Sequence, residues 1–102
     1  MAKPIPHEQV HARLMQNPEY ARRWHETEFA HQLATLVIGY RAEHQLSQTA
    51  LAKRLGTSQP AIARLEAGEH TPSLGTLFRV ADLLGLELQV NISPKGLELR
   101  TA

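Results

Sequence analysis

The chain contains no cysteine, which excludes a disulfide framework, a thiolate metal site and a thiol nucleophile. Its longest unbroken apolar run is Leu36-Val37-Ile38, far short of a membrane span. No charged, apolar and small-residue series of the signal-peptide kind opens it. These absences set the expectation of a soluble, cytoplasmic protein, since a chain without thiols is at home in a reducing compartment. Neither a G-x-S-x-G elbow nor a phosphate-binding Gly-Lys loop is present, so the expectation is a non-enzyme with no cofactor. One more absence is local. No acid occurs from Gln48 to Leu65, a stretch that holds Lys53, Arg54 and Arg64.

A chain of 102 residues suits one domain with a modest core. Its formal net charge of +1 points to no partner by itself. Distribution says more: five bases balance five acids from Met1 to Gln45, and three balance three from Thr71 to Ala102. The surplus belongs to the middle, and a phosphate backbone responds to local charge rather than the total.

Met1 to Pro6 carries two prolines and is expected to be extended or disordered. A short helix follows over His7 to Gln16, with Val10 and Leu14 on one side. Asn17-Pro18-Glu19 is a start signal: an N-cap, a proline at the first helical position and an acid in the first turn. From there Phe29, Leu33, Leu36, Val37 and Tyr40 share one helical face, in a pattern that runs to about His44. So long a helix predicts a break near Glu26-Thr27, with Thr27 as a second N-cap. Gly39 costs about 1 kcal/mol relative to alanine inside a helix, which predicts close packing there. Tyr20, Trp24 and Phe29 are expected in the core, an exposed Trp24 marking instead a protein-contact patch.

Thr71-Pro72 predicts the start of a later helix with Leu74, Leu77, Ala81 and Leu84 as its buried stripe and Gly85 as its stop. The period then changes. Leu86, Leu88, Val90 and Ile92 alternate with Glu87, Gln89 and Asn91, Ser93-Pro94-Lys95-Gly96 makes a turn, and Leu97 and Leu99 alternate with Glu98 and Arg100. That is a β-hairpin, and an isolated one is barely stable in water. Its apolar face can be covered by the chain's own helices or by a second copy. The free strand edge favours a copy, with Leu86, Leu88, Val90 and Ile92 at a homodimer interface. The chain thus divides into an N-terminal helical extension (1–28), a helical domain (29–85) and the hairpin (86–102).

Between these flanks lies SQTALAKRLGTSQPAIARLE, from Ser47 to Glu66. Ser47 and Ser58 are N-caps for helices over Gln48 to Leu55 and about Gln59 to Ala67; Gly56-Thr57 is the tight turn between them, and Gly68 ends the second. Leu51, Leu55, Ile62 and Leu65 turn inward, and Ala52 sits where two steeply crossing helices come closest. Gln48, Thr49, Lys53, Ser58, Gln59, Pro60 and Arg64 are left outward. Helix, turn, helix with an acid-free outer face is a way of laying a helix in a DNA groove.

This run resembles the helix-turn-helix of the Xre/Cro family of repressors, on Gln48, Leu51-Ala52, Leu55-Gly56, Ser58-Gln59, Ile62, Leu65-Glu66 and Gly68. The likeness spans about Leu33 to Leu84 and implies a mainly α, five-helix, lambda-repressor-like domain carrying the C-terminal hairpin. It implies a structural salt bridge between Arg41 and Glu66. Gln48 would face a phosphate and could brace Gln59, and Ser58 would cap its helix and donate to a phosphate, with Thr49 and Lys53 also facing DNA. Gln59 would reach base edges, where a glutamine can bridge adenine N6 and N7. Arg64 would fork onto guanine or fall back on phosphate. Pro60, where many relatives carry a polar residue, would touch a thymine methyl or shape the helix entry. The implied partner is double-stranded DNA with a palindromic operator, read by a homodimer whose recognition helices lie about 34 Å apart.

More narrowly, Asn17-Pro18-Glu19-Tyr20, the spacing from Leu74 to Val90 and the terminal strand are similar to HigA-like antitoxins. That likeness implies neutralisation of a small RelE/HigB-like ribonuclease toxin, contacted by Met1 to about Glu28, and repression of the shared operon. The alternative is a stand-alone Xre-family regulator with no toxin. A competing motif is His7-Glu8-Gln9-Val10-His11, which spells the H-E-x-x-H of zinc proteases. It lies beside two prolines, and His25, His31 and His44 stand at no ligand spacing from it. It is read as a chance match, so neither a metal nor a catalytic residue is expected.

Overall fold

A computed structural model describes residues 6–101; the extended or disordered run expected for Met1 to Pro6 lies, apart from Pro6, outside them. Five helices and one hairpin follow in order: α1 (His7–Leu14), α2 (Pro18–Glu43), α3 (Gln48–Leu55), α4 (Gln59–Ala67), α5 (Leu74–Leu84), β1 (Leu88–Ser93) and β2 (Gly96–Thr101). The mainly α, Xre-like fold is therefore the observed one. No helix among the described residues is long and apolar enough to cross a membrane.

The longest element is α2. Asn17 starts it, its side-chain oxygen accepting from the backbone N–H groups of Glu19 at 2.9 Å and Tyr20 at 3.2 Å. The break expected near Glu26-Thr27 does not occur. Thr27 does not cap a second helix: its hydroxyl donates back to the carbonyl of Arg23 at 3.0 Å, one turn earlier, and the ladder continues. The boundary placed between residues 28 and 29 thus falls inside one helix. Gly39 is likewise not a close-packing point, because an added Cβ there would meet nothing within 4 Å. Trp24 stands 37% exposed on the same helix rather than in the core, with the ring of His11 from α1 5.0 Å away.

Phe29, Leu33 and Val37 of α2 are almost wholly buried, with Leu36 and Tyr40 half-buried beside them, so the expected face is the one that builds the core. Leu51, Ala52 and Leu55 of α3, Ile62 of α4, Leu77 and Val80 of α5 and Leu99 of β2 complete it. Gly68, after α4, shows why a side chain is excluded there: φ is +66°, and a Cβ would come within 2.6 Å of His31 on α2. The last turn of α4 is thereby seated on α2.

Two boundaries shift for reasons of capping. Ser73, not Thr71, starts α5, its hydroxyl accepting from the N–H of Thr76 at 3.2 Å. Leu74 is then the first helical residue, overhanging the core at 67% exposure instead of heading the stripe, and burial falls to Leu77 and Val80. Strand β1 begins at Leu88 and not Leu86, because the N–H of Leu86 is held by the carbonyl of Ala81 at 3.2 Å in the closure of α5. Helix α1 ends at Leu14 rather than Gln16.

The hairpin is antiparallel, with Val90 opposite Leu99 and Ile92 opposite Leu97. These residues and Leu88 share one face. The chain's own helices cover that face: β2 lies on α2, Leu99 is buried, and Leu88, Val90 and Leu97 pack partly against the core. Gly96 sets the seating of the turn. Its φ is +129°, and a Cβ there would stand 2.9 Å from Cβ of His25 and 3.4 Å from the carbonyl of Arg22. Ile92 reaches past the helices and remains 72% exposed.

Candidate nucleic-acid interface

The two motif helices are set by their caps. The hydroxyl of Ser47 accepts from the N–H of Ala50 at 3.0 Å, and that of Ser58 from Ala61 at 3.3 Å. Pro60 occupies the first turn of α4, where a missing N–H leaves no intrahelical bond unmade. Neither first turn contains an acid, which keeps both helix N-termini electropositive. Thr49, Lys53, Ser58, Gln59, Pro60 and Arg64 are all exposed along one side, with Gln48 half-buried between the two helices.

A chain of polar contacts fixes this surface from below. The guanidinium of Arg41, near the end of α2, donates from Nε to Oε2 of Glu66 at 2.9 Å and from Nη2 to Oε1 at 3.0 Å. This two-point fork resists rotation as well as separation. Nη1 of Arg41 also donates to the carbonyl of Leu46 at 3.2 Å, tying down the loop that enters α3. Gln48 donates to Oε1 of Glu66 at 3.3 Å and accepts from Nε2 of Gln59 at 2.8 Å. One network therefore runs from α2 through both motif helices to the exposed Gln59.

The same pair settles the local charge. Only 7% of the Glu66 side chain is exposed, and its carboxylate faces Arg41. Glu66 in turn holds the Arg41 pKa above its ordinary value, first through the hydrogen bond and then through charge, with burial working the other way. A raised arginine pKa means that this contribution is complete below the ordinary guanidinium range and is lost only as pH rises through the raised value. Arg41 therefore stays charged in any neutral buffer, and Lys53 and Arg64 on the outer face have no acid in ion-pair contact among the described residues.

Two cations stand close to the motif in ways the sequence reading missed. Arg54 donates to the hydroxyl of Tyr40 at 3.2 Å, and Arg79 of α5 reaches the carbonyl of Gly56 in the turn at 3.4 Å. Counting along the chain sets Arg79 against Asp82, whereas folding sets it beside the motif. Its position three residues after Thr76, on the same face of α5, was the available signal. Arg64 also borders an open depression lined by Ala61, His70, Thr71 and Thr76.

The H-E-x-x-H residues are not gathered into a site. His11 packs against Trp24 and lies 3.4 Å from the hydroxyl of Tyr20, while His7 is exposed. Among the described residues no group of three or more potential metal-ligating side chains is assembled.

A short capped helix pair, with the outer face of its second helix exposed and acid-free and its inner side anchored to a supporting helix, defines a helix-turn-helix protein. The chain belongs to the Helix-turn-helix family, which it matches over residues 39–91. It is 42% identical over 50 residues to an uncharacterised HTH-type transcriptional regulator of Methanocaldococcus jannaschii, covering 49% of this chain and 76% of that protein. It is 41% identical over 58 residues to the ImmF control region 10 kDa protein of Bacillus phage phi105, covering 57% of this chain and 64% of the phage protein. Over 74 residues it is 34% identical to antitoxin HigA1 of Mycobacterium tuberculosis, covering 72% of this chain and half, 50%, of the antitoxin. Membership thus carries DNA binding and transcription regulation as the family's business.

Proposed function

We propose that the protein is a dimeric, sequence-specific repressor that neutralises a small RelE/HigB-like toxin and regulates its own operon. The observation that carries the DNA half is the relay Arg41–Glu66–Gln48–Gln59, which holds Gln59 before any DNA arrives. Preorganisation of this kind lowers the ordering loss on binding. In this reading Gln59 and Arg64 reach base edges, Gln48, Thr49, Lys53 and Ser58 hold phosphates, and Pro60 meets a thymine methyl. The homodimer forms through the β1 side of the hairpin, with Leu86 and Ile92 the exposed members and Leu88 and Val90 behind them. The operator is then palindromic, with half-sites one helical turn apart.

The antitoxin half draws support from the likeness to HigA1 and from the apolar N-terminal surface. Val10 and Leu14 of α1 are 38% and 42% exposed, and Trp24, against His11 of the same helix, is 37% exposed, apolar surface that DNA reading does not need. The relatives named as transcriptional regulators favour the second reading, a stand-alone repressor without a toxin.

The DNA reading is tested by selecting operators from random duplexes with the wild type, Gln59→Ala and Arg64→Ala. Each substitution is expected to lose roughly 1–3 kcal/mol of discrimination at its own base position with the melting temperature unchanged. If both variants select the wild-type operator, α4 is not the reading element. The antitoxin reading is tested by native purification from the source cell. A stoichiometric basic partner of small size supports it, and a homogeneous homodimer leaves the stand-alone regulator.

A further inference from the structure

The two strand edges of the hairpin differ in their surroundings. The two-residue turn makes Ser93 and Gly96 a hydrogen-bonded pair, and the antiparallel alternation then makes Asn91–Glu98 and Gln89–Arg100 the next such pairs. The backbone N–H and C=O groups of Leu97, Leu99 and Thr101 therefore point away from β1, along the outer edge of β2. Among the described residues no backbone or side-chain group outside the sheet bonds to them. An unpaired edge of this kind is a template for another strand.

This edge borders a trough. One stretch of it is lined by Trp24, His25, Glu28 and Phe29 of α2 together with Leu97 to Arg100 of β2. A second shares Gln32 and Leu99 with the first and adds Thr35, Leu36 and Thr101. A third shares Thr35 and Leu36 and continues past Gly39 to Tyr40, against the end of α5. The absence of a side chain at Gly39, which packing inside the chain does not require, keeps this stretch open. The trough thus follows α2 as a floor, with β2's edge along one half.

We infer that this trough receives an extended, basic segment of a partner protein, which adds to β2 as a third strand. Four carboxylates line it, Glu28, Glu43, Asp82 and Glu98, against the single guanidinium of Arg100, which Glu98 already holds at 3.6 Å. His25, His44 and Tyr40 are its other titratable neighbours. A second copy pairing edge to edge would bring two such acidic linings together, and like charges in apposition oppose that. Strand addition supplies main-chain bonds, and the half-buried Leu36 and Leu97 offer contacts for alternate side chains. The inference rests on the antitoxin reading for the partner's identity and on the structure for the site.

The test uses the full chain, with amide hydrogen exchange read residue by residue. The probe is a blocked peptide of alternating lysine and valine; a glutamate–valine peptide and a lysine–valine peptide N-methylated on alternate residues serve as controls. The lysine–valine peptide alone is expected to slow exchange at Leu97, Leu99 and Thr101, by roughly tenfold at saturation. Thr101→Pro removes one outward donor without touching the pairs to β1, and it is expected to weaken the peptide while the hairpin's own exchange stays as in the wild type. Equal slowing by the acidic peptide, or slowing confined to Leu88, Val90 and Ile92, overturns the proposal. Protection of Leu97 to Thr101 that rises with protein concentration alone assigns the edge to a second copy and also overturns it. A toxin that co-purifies but leaves these three amides fast refutes the edge while sparing the antitoxin reading; peptide docking without any basic partner does the reverse.

Discussion

The motif helix α4 and the strand β2 both rest on α2, and they do so by opposite chemistry. At the C-terminal end of α2 the contact is polar: Arg41 forks onto Glu66, and every charged group at the contact has a partner. Nearer its N-terminal end the contact is apolar, made by Leu97 and Leu99, with Gly96 closing against Arg22 and His25. The polar contact carries orientation, because a two-point hydrogen bond has a preferred plane. The apolar contact carries burial, which has no direction of its own. A surface that must match base edges is anchored by the first kind. A segment left with one open backbone edge is held by the second.

That contrast can be broken most directly at Leu99. Leu99→Ala is expected to destabilise the chain by about 2–5 kcal/mol in chemical denaturation, since the side chain belongs to the same core as Phe29 and Leu33. A single cooperative transition is expected for it; a hairpin that melts separately would show that the two contacts are independent. Gly96→Ala should follow at about 1–3 kcal/mol, from a strained φ and the crowding of His25. Operator affinity of the residual folded fraction should be unchanged, and a loss of affinity larger than the loss of fold would mean that the hairpin shapes the motif. The smallest effect sharpens the polar side. Lys53→Ala should leave stability unchanged and lower the slope of log affinity against log salt by about 1.

Much of this was legible because local chemistry and tertiary demand agree in the motif. Ser47, Ser58 and Gly56 dictate caps and turn, and Leu51, Leu55 and Ile62 can only point one way once those are set. The resemblance supplied the pairing of Arg41 with Glu66, which no spacing argument gives, since the partners are far apart in sequence and on different helices. Where the reading failed, a local signal had two uses. Thr27 is a good N-cap but equally able to bond back into a continuing helix, and α2 takes the second option because Phe29, Leu33 and Val37 need one unbroken face. Thr71-Pro72 looks like a helix start, yet Ser73 caps better, and the shift throws Leu74 into solvent. Gly39 predicts a contact, since a helix rarely keeps a glycine without reason, and it borders an open trough instead. The side of the sheet that would face a partner depends on pairing and on α2 together, so no strand pattern alone reveals it.

The unbroken course of α2 has a mechanical consequence. Its 26 residues make a rod of about 39 Å with no joint along it. The open edge of β2 lies beside one end and the Arg41 fork closes on the other, so the two are fastened to a single beam. A jointed helix would absorb a push at its front half locally. A beam passes that push to its far end as a tilt, and there the fork leaves the second motif helix little slack with which to ignore it.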